Sequence, residues 1–289
     1  MIVLENDQMQ IALKTSGAEL TRIYHKGTKI DYLWRIDERF WNRYAPVLFP
    51  IVGRLKDNTY TFEDTSYTFS QHGFARNNEF SIVSQSDTAI TFELTDTPET
   101  LVNYPFKFSL RISYKLENDR LQVSYNVVNQ DTKNIFFCIG GHPGFTCPLT
   151  PNTTFSDYFI EFETEETPQQ HLLNTEKGLR YKKTETKALG KTIPLNYDLF
   201  TNDALIYEGL KSKKIKLKSH KHSHGISFEF DAWQFFAFWT KKDAPFICFE
   251  PWMGAADLEN TNQEFVTKDG IIQLAIGDTY TNGYAIQFF

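Results

Sequence analysis

The sequence predicts an all-β domain of antiparallel strands, arranged as two large packed sheets. Apolar residues alternate with polar ones at a period of two nearly throughout the chain, which is typical of half-buried strands. Aromatic residues make up 16% of the 289 residues, and large rings pack well on a pleated surface. No internal repeat or low-complexity linker interrupts the pattern, so residues 1–289 are expected to form a single domain.

Short alternating segments separated by turns occupy the N-terminal part of the chain. Residues 1–31 are predicted to form a β-meander, and residues 80–94 a hairpin that turns at Ser86. A short helix is predicted to begin after Thr97, because Pro98 suits the first helical position.

The clearest hairpin lies in the middle of the chain. Strict alternation runs from Leu110 to Leu116 and again from Leu121 to Val127, on either side of a turn at Asn118. This hairpin leads the chain into the apolar run that precedes Gly140 and His142.

Residues 146–198 carry the weakest pattern, since they are polar and rich in Thr, Asn and Lys. They are expected to form long loops and a few strands that cover one end of a sheet. Their acidic group is expected to be a solvated face; it comprises Glu161, Glu163, Glu165 and Glu166.

Three histidines at alternate positions, His220, His222 and His224, could share one face of a strand and hold a metal ion. Lysines interleave them, and no carboxylate or thiol lies nearby in sequence. A solvated hairpin tip is therefore the predicted structure, and no metal site is predicted.

Charge and cysteine content restrict the class of protein. The net charge of −6 argues against a nucleic-acid partner, which would need a clustered basic face. The three cysteines are odd in number and fit no zinc pattern, so they are expected to be reduced and buried. Without a basic, apolar leader or an apolar run of about eighteen residues, a soluble cytoplasmic protein with no membrane contact is predicted.

His142 follows a buried apolar run and two glycines. Gly140 and Gly141 allow a sharp turn or a close approach to a ligand, and Pro143 favours an extended conformation at His142. An imidazole held there suits proton donation near neutral pH. A core histidine in a tight turn is the alternative interpretation.

Four further polar residues, like His142, lie where an apolar strand meets a turn, a position at which β-sheet proteins often build sites; they are Arg54, His72, Asp203 and Glu250. Arg76 follows His72 by four residues and could share its face of a short turn. Glu250, fixed by Pro251, would be costly to desolvate without a partner or a role, and its pKa is expected to be raised.

A protonated histidine and an ionised glutamate can transfer protons without a metal or a covalent nucleophile. The sequence contains no nucleophile elbow, P-loop, dinucleotide fingerprint or His-Glu-x-x-His motif. Proton transfer on a polyhydroxylated substrate is therefore predicted, with His142 and Glu250 about a sugar ring's width apart.

Five segments together resemble the aldose 1-epimerase (galactose mutarotase) family, and most of all its LacX-type branch. They occur in the family's order and span nearly the whole chain: Gly53–Arg54, Gln71–Arg76, Gly140–Phe145, Asn202–Ile206 and Phe249–Trp252. The resemblance implies a galactose-mutarotase-like β-supersandwich. It also implies cofactor-free interconversion of the α and β anomers of a sugar.

The resemblance also assigns roles to individual residues. Glu250 matches the base that removes the anomeric hydroxyl proton, and His142 matches the acid that protonates the ring oxygen. Arg54 and His72 match residues that bind hydroxyls and support developing charge, and Asp203 matches a ligand of a substrate hydroxyl.

One departure bears on the substrate. The segment that runs from His72 to Arg76 differs from the His-Gly-Gly pattern of galactose mutarotases and is similar to the hexose-6-phosphate 1-epimerase branch. Arg76 and Arg54 are therefore expected to be able to hold a phosphate. The expected ligand is a small sugar or sugar phosphate.

Three other functions remain open. A non-catalytic sugar sensor on the same fold would keep Arg54 and His72 without depending on Glu250. A lyase or hydrolase could use Asp203 and Glu250 as paired carboxylates. A purely structural β protein would make the order of the five segments a coincidence.

Overall fold

The computed structural model describes residues 1–289 and consists mainly of β-strands. The strands of the N-terminal half are β1 (Ile2–Glu5), β2 (Met9–Leu13), β3 (Leu20–His25), β4 (Ile30–Asp31), β5 (Val47–Leu48), β6 (Thr59–Phe62), β7 (Thr65–Thr68), β8 (Ser81–Gln85), β9 (Ala89–Thr95), β10 (Phe108–Glu117), β11 (Arg120–Asn129), β12 (Ile135–Phe137), β13 (Ile139–Gly141) and β14 (Gly144–Thr146).

The C-terminal half continues the same architecture. Its strands are β15 (Tyr158–Glu166), β16 (Gln169–Asn174), β17 (Leu179–Thr186), β18 (Gly190–Pro194), β19 (Leu205–Glu208), β20 (Lys214–Ser219), β21 (Ile226–Phe230), β22 (Phe235–Trp239), β23 (Phe246–Met253), β24 (Ile272–Leu274) and β25 (Thr279–Phe288).

Helical structure is limited to short segments. The predicted helix is confirmed as α1 (Pro98–Asn103), and Thr97 caps it by accepting the N–H of Thr100. None of the helices is long and apolar enough to cross a membrane. Single 3₁₀ turns lie at Lys56–Asn58, Ala75–Asn77, Phe155–Asp157, Tyr197–Phe200 and Phe265–Thr267.

Two large sheets, whose strand ladders are all antiparallel, dominate the fold. The nine-stranded sheet has the order β18-β15-β20-β21-β25-β11-β10-β9-β8. The second sheet has the order β17-β16-β19-β22-β23-β13-β5, with β14 also paired to β23. The predicted meander is confirmed as a separate sheet, β1-β2-β3-β4, and β6-β7 and β12-β24 form two-stranded ribbons.

The two large sheets pack face to face, as predicted. The ring centroid of Phe228 on β21 lies 5.6 Å from that of Phe236 on β22 and 6.0 Å from that of Phe249 on β23. Burial of apolar surface between the sheets is the main force that holds this arrangement together.

The central hairpin also matches its prediction. Leu110 of β10 pairs with Val127 of β11, and Leu116 pairs with Leu121. Asn118 in the turn has a φ of +55°, a left-handed conformation that Asn adopts more readily than most residues.

The prediction for residues 146–198 was right about a few strands but wrong about their place at one end of a sheet and about Glu166. They form four strands, β15 to β18, which belong to both large sheets. Many of their polar side chains are exposed, so apolar residues are too few in this part of the sequence to give a clear alternating pattern. Glu166 is not solvated, because it is fully buried and accepts the backbone N–H groups of Lys211 and Ser212 at 3.1 and 2.7 Å.

Strand β23 positions the candidate site. Ile247 and Phe249 point into the main core, whereas Cys248 and Glu250 occupy the intervening positions and face the opposite side of the sheet. The strand does not end at Glu250, as the sequence suggested, but continues through Pro251. Both faces of β23 are covered, which explains its continuous apolar run.

Candidate active site

The second large sheet carries a cavity of about 450 Å³ on the face that points away from the main core. Its lining brings together all six residues that the sequence singled out: Arg54, His72, Arg76, His142, Asp203 and Glu250. They come from five separate segments of the chain, so only the tertiary fold assembles them.

Glu250 lies at the base of this cavity. Only 1% of the residue is exposed, and its Oε2 atom has no hydrogen-bond partner. Burial holds the pKa of the Glu250 carboxyl well above its usual range, and the nearby negative charge of Asp203 raises it further. The expected raised pKa is therefore confirmed.

His142 follows two glycines and is packed between tryptophan rings. A side chain at Gly140 would stand 2.6 Å from Cδ1 of Trp252, so only glycine lets β13 approach β23 this closely. The imidazole stacks on Trp41 at a centroid distance of 4.9 Å and meets Trp239 edge-on at 5.7 Å. Burial lowers the pKa of His142 to about 3, and the positive charge of Arg76 acts in the same direction.

The Nε2 atom of His142 lies 3.1 Å from the Oε2 atom of Glu250. The predicted separation of a sugar ring's width was wrong. The hydroxyl and ring oxygens of an anomeric centre are bonded to the same carbon, so an acid and a base that serve both must also be neighbours. The observed distance meets that requirement.

The pKa shifts of the two groups oppose the expected pair of ions. The shifts in pKa favour a protonated Glu250 and a neutral His142 in the free protein. This neutral pair holds the same number of protons as the ion pair, and a shift of one proton over 3.1 Å interconverts them.

His72 is fixed in a single tautomer. Its Nδ1 atom accepts the backbone N–H of Gly53 at 3.1 Å, so the ring proton of the neutral imidazole lies on Nε2. Its own backbone N–H donates to Gly53 O at 2.9 Å. Gly53 is required here, because a side chain at its φ of +73° would stand 2.5 Å from the backbone nitrogen of Ala256.

The two predicted arginines have no carboxylate partner. Arg54 is exposed at the mouth of the cavity, and its side chain passes over Gly178. Arg76 is half-buried and donates from Nη2 to Gln71 O at 2.6 Å, but its buried Nε has no acceptor. Burial and the neighbouring charge of Arg43 lower the pKa of Arg76 to about 10.

Asp203 stands just before β19, at the exposed side of the cavity. Its φ of +74° turns the chain into the strand, and its Oδ1 atom accepts the backbone N–H of Ala204 at 2.8 Å. The other carboxylate oxygen makes no hydrogen bond within the chain.

Unpartnered polar atoms are concentrated in this cavity. Seven buried side-chain atoms lack a hydrogen-bond partner, and four of them belong to residues that line it: Arg76 Nε, His142 Nδ1, Glu250 Oε2 and Trp252 Nε1. Leaving such groups unpaired is costly, so their concentration marks a site that a polar ligand completes.

Sequence reasoning missed the aromatic walls of the site. Trp41 stacks on His142 and Trp239 meets it edge-on, yet neither tryptophan was singled out from the sequence. The only sequence signal for these walls was the aromatic enrichment around Trp41. The contacts of Trp41 and Trp239 with His142 depend on how β13 and β22 pack, which the sequence pattern does not show.

A buried arginine supports the cavity from behind and was also missed. Arg180 is fully buried; it donates to Ala256 O at 2.7 Å, to His171 Nδ1 at 3.0 Å and to Asp269 Oδ2 at 2.7 Å. Ala256 in turn packs against Gly53 and lines the cavity. The lysine-rich sequence of β17 gives no sign that one of its cations is buried.

Comparison with known proteins identifies the family. Residues 1–273 match the family model described as aldose 1-epimerase. The chain is 34% identical over 271 residues to the chromosomal protein LacX of Lactococcus lactis subsp. lactis, covering 90% of each chain. The protein therefore belongs to the aldose 1-epimerase family, and the resemblance seen in the sequence is confirmed.

Solved structures agree with this assignment. A galactose mutarotase related enzyme from Lactobacillus acidophilus is 31% identical with a TM-score of 0.95, over 100% of this chain and 97% of that one. A galactose mutarotase-like protein from Lactobacillus casei is 32% identical with a TM-score of 0.94, over 100% of both chains. The fold is thus the predicted galactose-mutarotase-like supersandwich.

Proposed function

We propose that this protein is an aldose 1-epimerase that interconverts the α and β anomers of a hexose. The observation that carries the proposal is the 3.1 Å distance between Nε2 of His142 and Oε2 of Glu250, both facing a cavity of about 450 Å³. An acid and a base this close can serve the two oxygens of one anomeric carbon.

In the proposed mechanism, the proton of Glu250 first shifts to His142. The Glu250 carboxylate then removes the proton of the anomeric hydroxyl, while His142 protonates the ring oxygen and the bond between that oxygen and C1 breaks. The products are an open-chain aldehyde, a protonated Glu250 and a neutral His142.

Ring closure reverses these transfers after rotation about the C1–C2 bond. His142 takes the proton of the C5 hydroxyl, that oxygen attacks either face of the aldehyde, and Glu250 returns a proton to the carbonyl oxygen. Protons balance over the cycle. The neutral pair that burial favours must become the ion pair before ring opening, and it is regenerated beside the open-chain sugar.

The remaining cavity residues would bind the sugar. Nε2 of His72 carries a proton that can be donated to a hydroxyl or ring oxygen, and Asp203 can accept from a hydroxyl. The rings of Trp41 and Trp239 offer apolar surface for the C–H groups of a sugar.

A hexose 6-phosphate is a second candidate substrate. Arg54 and Arg76 both line the cavity and neither has a carboxylate partner, which favours an anionic group on the ligand. Asp203 and Glu176 line the same cavity, so the phosphate would have to lie on the arginine side.

The proposal is tested by NMR measurement of anomer exchange. Freshly dissolved α-glucose, α-galactose and their 6-phosphates are each followed with and without the protein, because sugars mutarotate unaided. Acceleration of at least one sugar is expected. Acceleration confined to the phosphates would assign the substrate to that class, and no acceleration of any of the four would count against catalysis of hexose mutarotation.

A further inference from the structure

Three side chains of metal-ligating type converge beside the cavity: His142, Cys248 and Glu250. One ligand atom from each lies within 4.8 Å of the others. Cys248 and Glu250 occupy alternate positions of β23 and therefore point to the same face, while His142 follows the adjacent strand β13. The proposed sugar chemistry gives the thiol no role.

The cluster is buried and incompletely paired. Cys248 is fully buried, Glu250 is 1% exposed and His142 is 8% exposed. The Oε2 atom of Glu250 makes no hydrogen bond within the chain, although it lies 3.1 Å from Nε2 of His142. A buried carboxylate oxygen without a partner is costly, so a group that coordinates it would be favoured.

We propose that His142, Cys248 and Glu250 form a binding site for a thiophilic divalent metal ion such as Zn²⁺. A nitrogen, a sulfur and a carboxylate oxygen are ligands that zinc accepts in tetrahedral sites. Bond lengths of about 2.0–2.3 Å place the ligand atoms of such a site about 3.3–3.8 Å apart. The observed separations, 3.1 Å for His142 to Glu250 and at most 4.8 Å within the set, require only small side-chain movements.

The charges balance when the ion is bound. A divalent ion with one thiolate, one carboxylate and a neutral imidazole gives a site of zero net charge, which suits a buried position. The protons of the Cys248 thiol and the Glu250 carboxyl leave to solvent. His142 and Glu250 also line the cavity, so water or a sugar hydroxyl could supply a fourth ligand from there.

In the histidine-rich turn at residues 220–224, both ring nitrogens of His222 already have partners. Its Nε2 atom is hydrogen-bonded to Tyr158 Oη at 2.8 Å, and its Nδ1 atom accepts the backbone N–H of His224 at 3.1 Å. Both ring nitrogens are therefore occupied. The buried cluster, and not the histidine-rich turn, offers the unpartnered ligand atom.

A bound ion would compete with the proposed chemistry, because it would occupy Glu250 and His142, the two groups that transfer protons. Zn²⁺ is therefore an inhibitor of this site and not its cofactor. That consequence rests on the proposed function, whereas metal binding itself does not.

The test uses Co²⁺ as a spectroscopic probe. We expect one equivalent of Co²⁺ to give a thiolate-to-cobalt absorption band and visible bands of a four-coordinate ion, which Zn²⁺ then abolishes by displacement. Cys248→Ser should lose the thiolate band and weaken Co²⁺ binding more than about tenfold, while Cys147→Ser, which alters another buried cysteine, should retain both.

Calorimetric titration with Zn²⁺ supplies a measurement that needs no enzymatic activity. If Cys248→Ser does not fold, Cys248→Ala replaces it, and far-ultraviolet circular dichroism checks each variant. A wild-type protein without a thiolate band at saturating Co²⁺, or an equal band in the Cys248 variant, would overturn the proposal. Failure of anomer exchange with intact Co²⁺ binding would instead count only against the proposed function.

Discussion

The backbone N–H of Gly53 donates to the Nδ1 atom of His72, 3.1 Å away, and so leaves the ring proton of His72 on Nε2. The imidazole is thereby a fixed donor toward the cavity, beside the edge-on ring of His142 at 5.7 Å. In the same turn, His72 adopts a φ of +67°, which few residues other than glycine tolerate.

Replacing His72 by Asn should weaken sugar binding without unfolding the turn. Asn accepts a positive φ but is too short to place a donor where Nε2 lies. We expect KM to rise about tenfold, the equivalent of about 1.4 kcal/mol and within the range for one lost hydrogen bond. His25→Asn, at a half-buried histidine of β3, is the control and should leave KM unchanged. An unchanged KM in His72→Asn would exclude this contact.

Arg76→Gln should discriminate between phosphorylated and free sugars. Loss of a charged hydrogen bond costs about 1.5–3 kcal/mol, so KM for a hexose 6-phosphate should rise at least about tenfold. KM for the free hexose should change much less. Arg35→Gln, at an exposed arginine paired with Asp31, is the matched control. Equal effects on both substrates would remove Arg76 from the phosphate assignment.

Arg180→Met should destabilise the fold strongly. The substitution removes a fully buried cation and leaves Asp269 and Ala256 O without their donor. The side chain of Asp269 is 41% exposed and can be hydrated, so the main cost comes from the buried acceptors Ala256 O and His171 Nδ1, at about 1–3 kcal/mol of unfolding free energy each. Arg120→Met, at a partly exposed arginine paired with Glu229, should cost about 1 kcal/mol or less. Urea unfolding measures the loss of unfolding free energy in each variant. Equal losses would show that burial of Arg180 does not increase its contribution to stability.

Stability should fall as the pH drops below about 6.5, in part because of His171. Burial lowers the pKa of His171, and Arg180 acts in the same direction while Glu208 opposes it. A histidine whose folded pKa is depressed binds its proton more readily when unfolded. Its contribution to stability is therefore complete above the unfolded pKa and is lost as the pH falls toward the folded value.

Thermal melting between pH 8 and pH 5 tests whether stability falls with falling pH. His72 and His142 are also buried with lowered pKa values and contribute in the same direction, whereas the raised pKa of Glu250 acts in the opposite direction, so the wild-type slope has several sources. His171→Gln should have a lower melting temperature at pH 8 and a shallower decline toward pH 5. A decline as steep as that of the wild type would show that His171 does not titrate with unfolding.

The hairpin β10–β11 shows what sequence patterning could predict. Its polar and apolar residues alternate strictly because one face meets the core and the other meets solvent. Strand β23 shows the opposite case. It is covered on both faces, so its pattern could not reveal that the strand runs past Glu250 and through Pro251.

The candidate site was predictable as a set of residues but not as a geometry. Their positions at the ends of apolar strands selected Arg54, His72 and Glu250, the family resemblance assigned their roles, and the structure places them in one cavity. The stacking of Trp41 on His142 and the burial of Arg180 depend on contacts between distant strands. No local pattern encodes such contacts, and the pKa shifts of His142 and Glu250 arise mainly from burial, with smaller contributions from Arg76 and Asp203.

Anomer exchange in the Glu250→Gln variant tests the central claim most directly. Gln keeps the shape of the side chain but cannot accept the anomeric proton, so exchange of the sugar that the wild type accelerates should fall by a factor of about 10²–10⁴, toward the protein-free rate. Binding of the same sugar, measured by calorimetry, should remain within a few-fold. Exchange as fast in Glu250→Gln as in the wild type would contradict the assignment of Glu250 as the base.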